Sequence, residues 1–268
     1  YCNAMFVPLM GLLMLVMAVG VMVRWKDTPV KWLLGMLAPV LLGSAVLGVV
    51  ATMLLGDFNW SVLAVCCLAA WVLLAGVRDL LDKTRHKGLF KGMFSLSSSY
   101  WGMQLAHIGI AVCAIGVVLV SQGSSERDLK LAPGESLEMS GYRFVFEGAK
   151  HFQGPNFTSD RGTIRVLKGS KEVALLHPEK RLYTVQGMPM TEAGIDAGIT
   201  RDLYVALGEP LADGAWAVRV HIKPYVRWIW FGGLMMGLGG MLAAFDKRYR
   251  VKVKTRVRDA LNLNGVTA

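Results

Sequence analysis

Charge is scarce in this chain: 18% of its 268 residues are Asp, Glu, Lys or Arg, while 54% are hydrophobic. Soluble domains usually hold about a quarter charged and 45–50% apolar residues. The scarcity is local. Five apolar stretches, residues 5–23, 32–55, 60–77, 101–121 and 226–245, have no Asp, Glu, Lys or Arg in their interiors. Each is long enough to cross a hydrocarbon layer of about 30 Å as a helix. A cytosolic globular enzyme and a disordered chain are both excluded, and an integral membrane protein remains. Cysteine is scarce too. Cys66, Cys67 and Cys113 fall inside these stretches, where a thiol behaves as a small apolar group, and Cys2 lies just ahead of them. None falls between residues 122 and 225, so that segment has no disulfide framework. Cys-x-x-Cys, Cys/His zinc spacing, Walker, His-Glu-x-x-His and Gly-x-Ser-x-Gly motifs are absent, and with them any support for hydrolytic or nucleotide-driven chemistry. The first stretch has neither a basic region before it nor a cleavage pattern after it, so it does not read as a signal peptide. The chain opens on Tyr1 without an initiator Met, and a longer sequence upstream is expected.

What charge there is sorts by location. If the spans alternate, residues 24–31, 78–100 and 246–268 share one side, and together they hold fifteen Lys/Arg against five Asp/Glu. Positive charge marks the cytoplasmic side, which places residue 1 and the segment after residue 121 outside. The basic tail, residues 247–256, begins directly after a span, so membrane lipid headgroups rather than nucleic acid are its expected partner. Between residues 122 and 225 the pattern changes to short alternating strands broken by Gly and Pro. Tyr142, Phe144 and Phe146 share one face, and Trp216, Val218, Val220 and Ile222 alternate with Ala217, Arg219 and His221. Six to eight short strands imply a small antiparallel barrel or sandwich held against the outer membrane surface. The domain plan is thus four membrane helices in 1–121, a periplasmic β domain in 122–225, a fifth helix in 226–245 and a basic cytoplasmic tail in 246–268. One long loop, residues 186–198, carries Met188 and Met190. It reads either as a lid packing those methionines into the domain or as a docking surface for a partner.

Among five histidines, His86, His151, His177 and His221 read as surface residues. His107 lies six residues into the fourth stretch, about 9 Å along the helix, where an ionisable side chain is costly. Gly102, Ala106, Gly109, Cys113 and Gly116 form a small-residue stripe suited to close helix packing, and His107 stands about 100° from it, beside Ala111 and Ala114. Those alanines leave room for something flat. Three readings remain open: a packing histidine, a proton relay, or a haem axial ligand. The relay is weakened by the lack of other buried charges in the spans. In the last stretch Gly233, Gly237, Gly240 and Ala244 repeat at the same spacing and are expected to form its packing face.

Four stretches stand out in order: Tyr100-Trp-Gly-Met-Gln-Leu-Ala-His-Ile-Gly-Ile-Ala-Val112, Thr200-Arg-Asp-Leu-Tyr-Val-Ala-Leu-Gly-Glu-Pro-Leu211, Trp216-Ala-Val-Arg219 with Lys223-Pro-Tyr-Val-Arg-Trp-Ile-Trp230, and the Gly-rich last helix followed by Asp246-Lys-Arg-Tyr-Arg250. The resemblance they carry is to the CcmF family of bacterial cytochrome c biogenesis, with the sister family NrfE sharing much of the pattern. It implies a haem lyase that takes haem from the chaperone CcmE and joins it to the Cys-x-x-Cys-His thiols of apocytochrome c. CcmH and CcmI would be its partners. It also implies a membrane b haem reduced by quinol, with His107 as one of its two axial ligands. The family's tryptophan-rich haem-docking segment, its two flanking histidines and the other b-haem ligand have no counterpart in these residues. They are expected upstream of Tyr1, so this piece alone should not ligate haem. The alternative function is a non-catalytic membrane scaffold of the maturation complex.

Overall fold

The computed structural model describes residues 2–23, 27–56, 58–86, 88–185 and 187–246. Asp57, Lys87, Gln186 and the basic tail at 247–256 lie outside the described residues. The chain forms two compact units, residues 1–118 with 228–268, and residues 119–227.

The first unit is helical: α1 (Cys2–Met22), α2 (Val30–Leu54), α3 (Trp60–Thr84), the short α4 (Leu89–Phe94), α5 (Ser98–Gly123) and α6 (Val226–Ala244). All but α4 are long and apolar enough to cross a membrane. Leu9, Leu42 and Leu234 are more than half exposed, as suits side chains that face lipid or further helices. The buried set includes Met14, Ala18, Val40, Trp71, Val72, Ala75 and Ala111. α3 starts on Asn59, whose side chain accepts the Ser61 amide at 2.8 Å. It runs to Thr84, seven residues beyond the end of the apolar stretch. Hydropathy marks where lipid can surround a helix and says nothing of where the helix stops. Here Asp79–Lys83 and Asp82–Arg85 pairs at helical spacing carry it onward.

On α5 the small-residue stripe packs as expected. A Cβ added at Gly102 would lie 2.5 Å from the Gly239 carbonyl oxygen, and one at Gly109 2.7 Å from that of Gly232. Only hydrogen at those positions permits such backbone approach. The face used by α6 differs from the expectation. Gly232 and Gly239 make the contact, with Met236 and Ala243 between and beyond them, whereas a Cβ added at Gly233, Gly237 or Gly240 would meet no neighbouring atom within 4 Å. Two 4-3-4 stripes run side by side on this helix, and spacing cannot choose between them.

The second unit is a two-sheet sandwich of ten strands, more than the six to eight expected. One sheet has the order β1 (Ser125–Leu131), β10 (Trp216–Pro224), β9 (Arg201–Pro210), β8 (Gly194–Ala197). The other runs β2 (Ser136–Met139), β3 (Tyr142–Gln153), β4 (Phe157–Lys168), β6 (Glu179–Tyr183), β7 (Pro189–Glu192), with β5 (Lys171–Leu176) also on β4. Its core joins Phe144, Phe146, Ile164 and Val166 of one sheet to Leu203, Val205, Val218 and Val220 of the other, all at most 2% exposed. The excess strands include β7 and β8, cut from the long loop. There the chain leaves one sheet at Glu192 and enters the other at Gly194. Met188 and Met190 are 70% and 51% exposed, so the lid reading fails.

Candidate functional site

A cluster of polar groups forms where α5 meets α3. Tyr100, Gln104, His107 and Ala111 follow one another at 4-3-4 spacing and therefore lie along one face of α5. Asp79 of α3, 6% exposed, stands opposite the first of them. Its carboxylate accepts from Lys83 Nζ at 2.9 Å and from the Tyr100 hydroxyl at 2.9 Å. Gln104, equally buried, donates through Nε2 to the Tyr100 oxygen at 2.7 Å and to the Gly76 carbonyl at 3.3 Å. A Cβ at residue 76 would fall 2.6 Å from Gln104 Oε1, so the amide fits only because Gly76 has no side chain. A carboxylate at this position is tolerable because it is both charge-paired and hydrogen-bonded. The spans therefore do hold a buried ionisable group, against the sequence expectation. Asp79 lies two residues past the apolar stretch 60–77, outside the reach of hydropathy, although Asp79/Lys83 and Tyr100/Gln104 are each spaced i, i+4.

One turn beyond Gln104 comes His107, nine residues into α5 and half-buried. Among the described residues its imidazole has no hydrogen-bond partner, and it is the one histidine within the five long helices. The open space expected beside it is absent at Ala111, which is 0% exposed and packed in a cluster with Val72 and Ala75 of α3; Ala114 is only partly covered. Among the described residues no group of three or more His, Cys, Asp and Glu could hold a metal ion. The donor set thus fits a single axial nitrogen to a haem iron, and not a complete ligand pair.

The other histidines sit apart. His86 accepts from Arg85 Nε at 3.0 Å, and His151 faces Asp160 at 3.2 Å, both exposed. His177 is exposed as well. His221, expected at the surface, is more covered: its side chain is 15% exposed, 3.4 Å from Glu126 and edge-on to Tyr204. On the same outward face Arg219 grips Asp128 through two hydrogen bonds of 2.6 and 2.7 Å. That contact holds the Asp128 carboxyl below its ordinary range, because the guanidinium donates to its charged form. Arg219, Asp128 and Tyr204 line a groove of about 470 Å³ together with Ala206, Gly208 and Ala217.

Five long apolar helices with a β-sandwich inserted between the last two define a class: multi-pass membrane proteins that carry a β domain between two spans. Residues 122–224 match the model of the CcmF C-terminal beta-sandwich. The chain is 76% identical over 263 residues to the cytochrome c-type biogenesis protein CcmF of Pseudomonas fluorescens, covering 98% of this chain and 40% of that protein. Against CcmF of Pseudomonas aeruginosa the identity is 71% over 265 residues, covering 99% of this chain and again 40% of the relative. A solved structure, "Cytochrome c Heme Lyase CcmF", superimposes with a TM-score of 0.70 at 17% identity, covering 91% of this chain and 40% of that one; this shows the shared fold. The chain belongs to the CcmF family and spans about 40% of the length of these relatives, with NrfE as a related family.

Proposed function

We propose that the chain is the part of a cytochrome c haem lyase that contributes one axial ligand, His107, to a membrane b haem. The observation that carries this reading is the half-buried imidazole of His107, without a hydrogen-bond partner among the described residues, on the face where Tyr100 and Gln104 lock α5 to α3. An imidazole held on a rigid helix and left with a free nitrogen is suited to bind iron rather than to pack. The second ligand would come from outside these residues.

A haem bound there supplies a one-electron couple, with quinol as the expected donor. The residues of this chain present the ligand, restrict water around it and fix the rotation of α5. The lyase reaction served by that couple is an addition. Each cysteine thiol of apocytochrome c adds sulfur and hydrogen across a vinyl double bond of the substrate haem, and no atom is lost. It proceeds with thiols reduced and iron ferrous. The same reading places residues 122–225 on the periplasmic side of the inner membrane and the C-terminus in the cytoplasm, supported by the positive charge of residues 24–31, 78–100 and 246–268. The haem chaperone CcmE, CcmH, CcmI and apocytochrome c are the partners it implies. In cells whose cytochrome c depends on the full-length protein, His107→Ala should sharply lower haem-stained c-type cytochrome while the variant stays in the membrane at normal level. Normal cytochrome yield would leave the scaffold reading in its place.

A further inference from the structure

The turn between β8 and β9 combines rigidity with an exposed apolar tip. The Gly198 amide donates to the Arg201 carbonyl at 2.9 Å and to Asp202 Oδ1 at 3.0 Å, which closes the turn. Arg201 Nη1 reaches back to the Asp196 carbonyl at 3.2 Å. At the tip stands Ile199, 73% exposed, where turn chemistry favours a small polar residue.

This turn is bolted to the place where the chain becomes a membrane helix. The Tyr225 amide donates to the Thr200 carbonyl at 3.1 Å, and Arg227 Nη2 donates to the Ala197 carbonyl at 3.1 Å. Tyr225 has φ of +55°, a left-handed conformation uncommon for a side chain of its size, and its bond to Thr200 holds that conformation in place. Val226 and Arg227 are the first two residues of α6, which continues as Trp228-Ile-Trp-Phe231. Trp residues at the end of an apolar helix mark the headgroup layer. Two hydrogen bonds of about 3 Å leave the turn no freedom to lie far from the level at which α6 enters that layer.

We propose that the Ala197–Arg201 turn is a membrane-contact element of the β domain, with Ile199 inserted into the phospholipid headgroup layer and the exposed Arg227 guanidinium beside it facing lipid phosphate. The occupant follows from continuity with the helix: the same few residues that tie down the turn begin the membrane span. A protein partner would need to displace lipid from that position. The contact stands independently of any haem bound by the helices.

Spin labels at Ile199→Cys and, separately, Val185→Cys test this in the intact protein, reconstituted in phosphatidylethanolamine–phosphatidylglycerol vesicles with the signal of the unsubstituted protein subtracted. Val185, 93% exposed on another hairpin, is the reference. The ratio of oxygen to nickel-chelate accessibility should be several-fold higher at 199 than at 185. Equal, nickel-dominated ratios would show a water-facing turn and overturn the proposal. Protection of position 199 from both reagents would show a protein contact and overturn it as well.

Discussion

Asp79 sits in a membrane helix with two partners, and the cost of losing either can be stated. Tyr100→Phe removes the hydroxyl that links the carboxylate to Gln104, leaving both short of a hydrogen bond. Unfolding of the detergent-solubilised protein should show a loss of about 1–2 kcal/mol; a loss below about 0.3 kcal/mol would mean that water replaces the hydroxyl and the site is less closed than its burial indicates. In the β domain Glu179, 5% exposed, is clasped by Arg161 at 2.6 Å and Arg181 at 2.8 Å. Burial raises its pKa, but the two guanidiniums outweigh burial and hold the carboxyl below its ordinary range. The folded value lies below the unfolded one, so this stabilisation is complete above the unfolded Glu pKa of about 4.3 and is lost as pH falls through the folded value. Hydrogen exchange at β4 and β6 in the full chain should therefore stay flat from pH 8 to pH 5 once intrinsic rates are removed, and accelerate in acid. Glu179→Gln should bring that acceleration to neutral pH. At this scale His107 was legible because one histidine among apolar neighbours needs a reason to be there. Asp79 was not, because its burial depends on how far α3 runs past the apolar stretch and on Tyr100 arriving from another helix.

At the scale of elements, the α5–α6 contact makes a paired prediction. Gly239→Ala drives a Cβ to 2.5 Å from the Gly102 carbonyl and should cost about 1–3 kcal/mol. Gly237→Ala, with open space around it, should change stability by less than about 0.5 kcal/mol. Denaturation of both variants in mixed micelles decides the face; the reverse order would mean that the other stripe packs. The α5 stripe was readable in sequence because it is the only 4-3-4 small-residue row on that helix, while α6 carries two rows and its partner had to choose. The strands were readable wherever alternation was long. Trp216, Val218, Val220 and Ile222 turn inward on β10 as their spacing requires, from 0% to 8% exposed. The short β7 and β8 were not readable, since four residues hold too little alternation and the switch between sheets at Ala193 is set by long-range pairing.

For the whole molecule, the membrane class followed from composition, and the family followed from short motifs spread across nearly the full chain. The connection between them is chemical: the half-buried His107 imidazole has no hydrogen-bond partner among the described residues, which is what our proposal of a haem ligand requires. Strand order and the choice of sandwich over barrel required the structure, because β8 pairing with β9 and β1 with β10 joins residues nearly a hundred positions apart in the second case. The account stands most directly on a reduced-minus-oxidised optical spectrum of the full-length membrane protein, wild type beside His107→Ala. It predicts a b-type haem signal in the wild type that is lost in the variant. A b-type signal of equal size in the variant would contradict it and return His107 to a packing role.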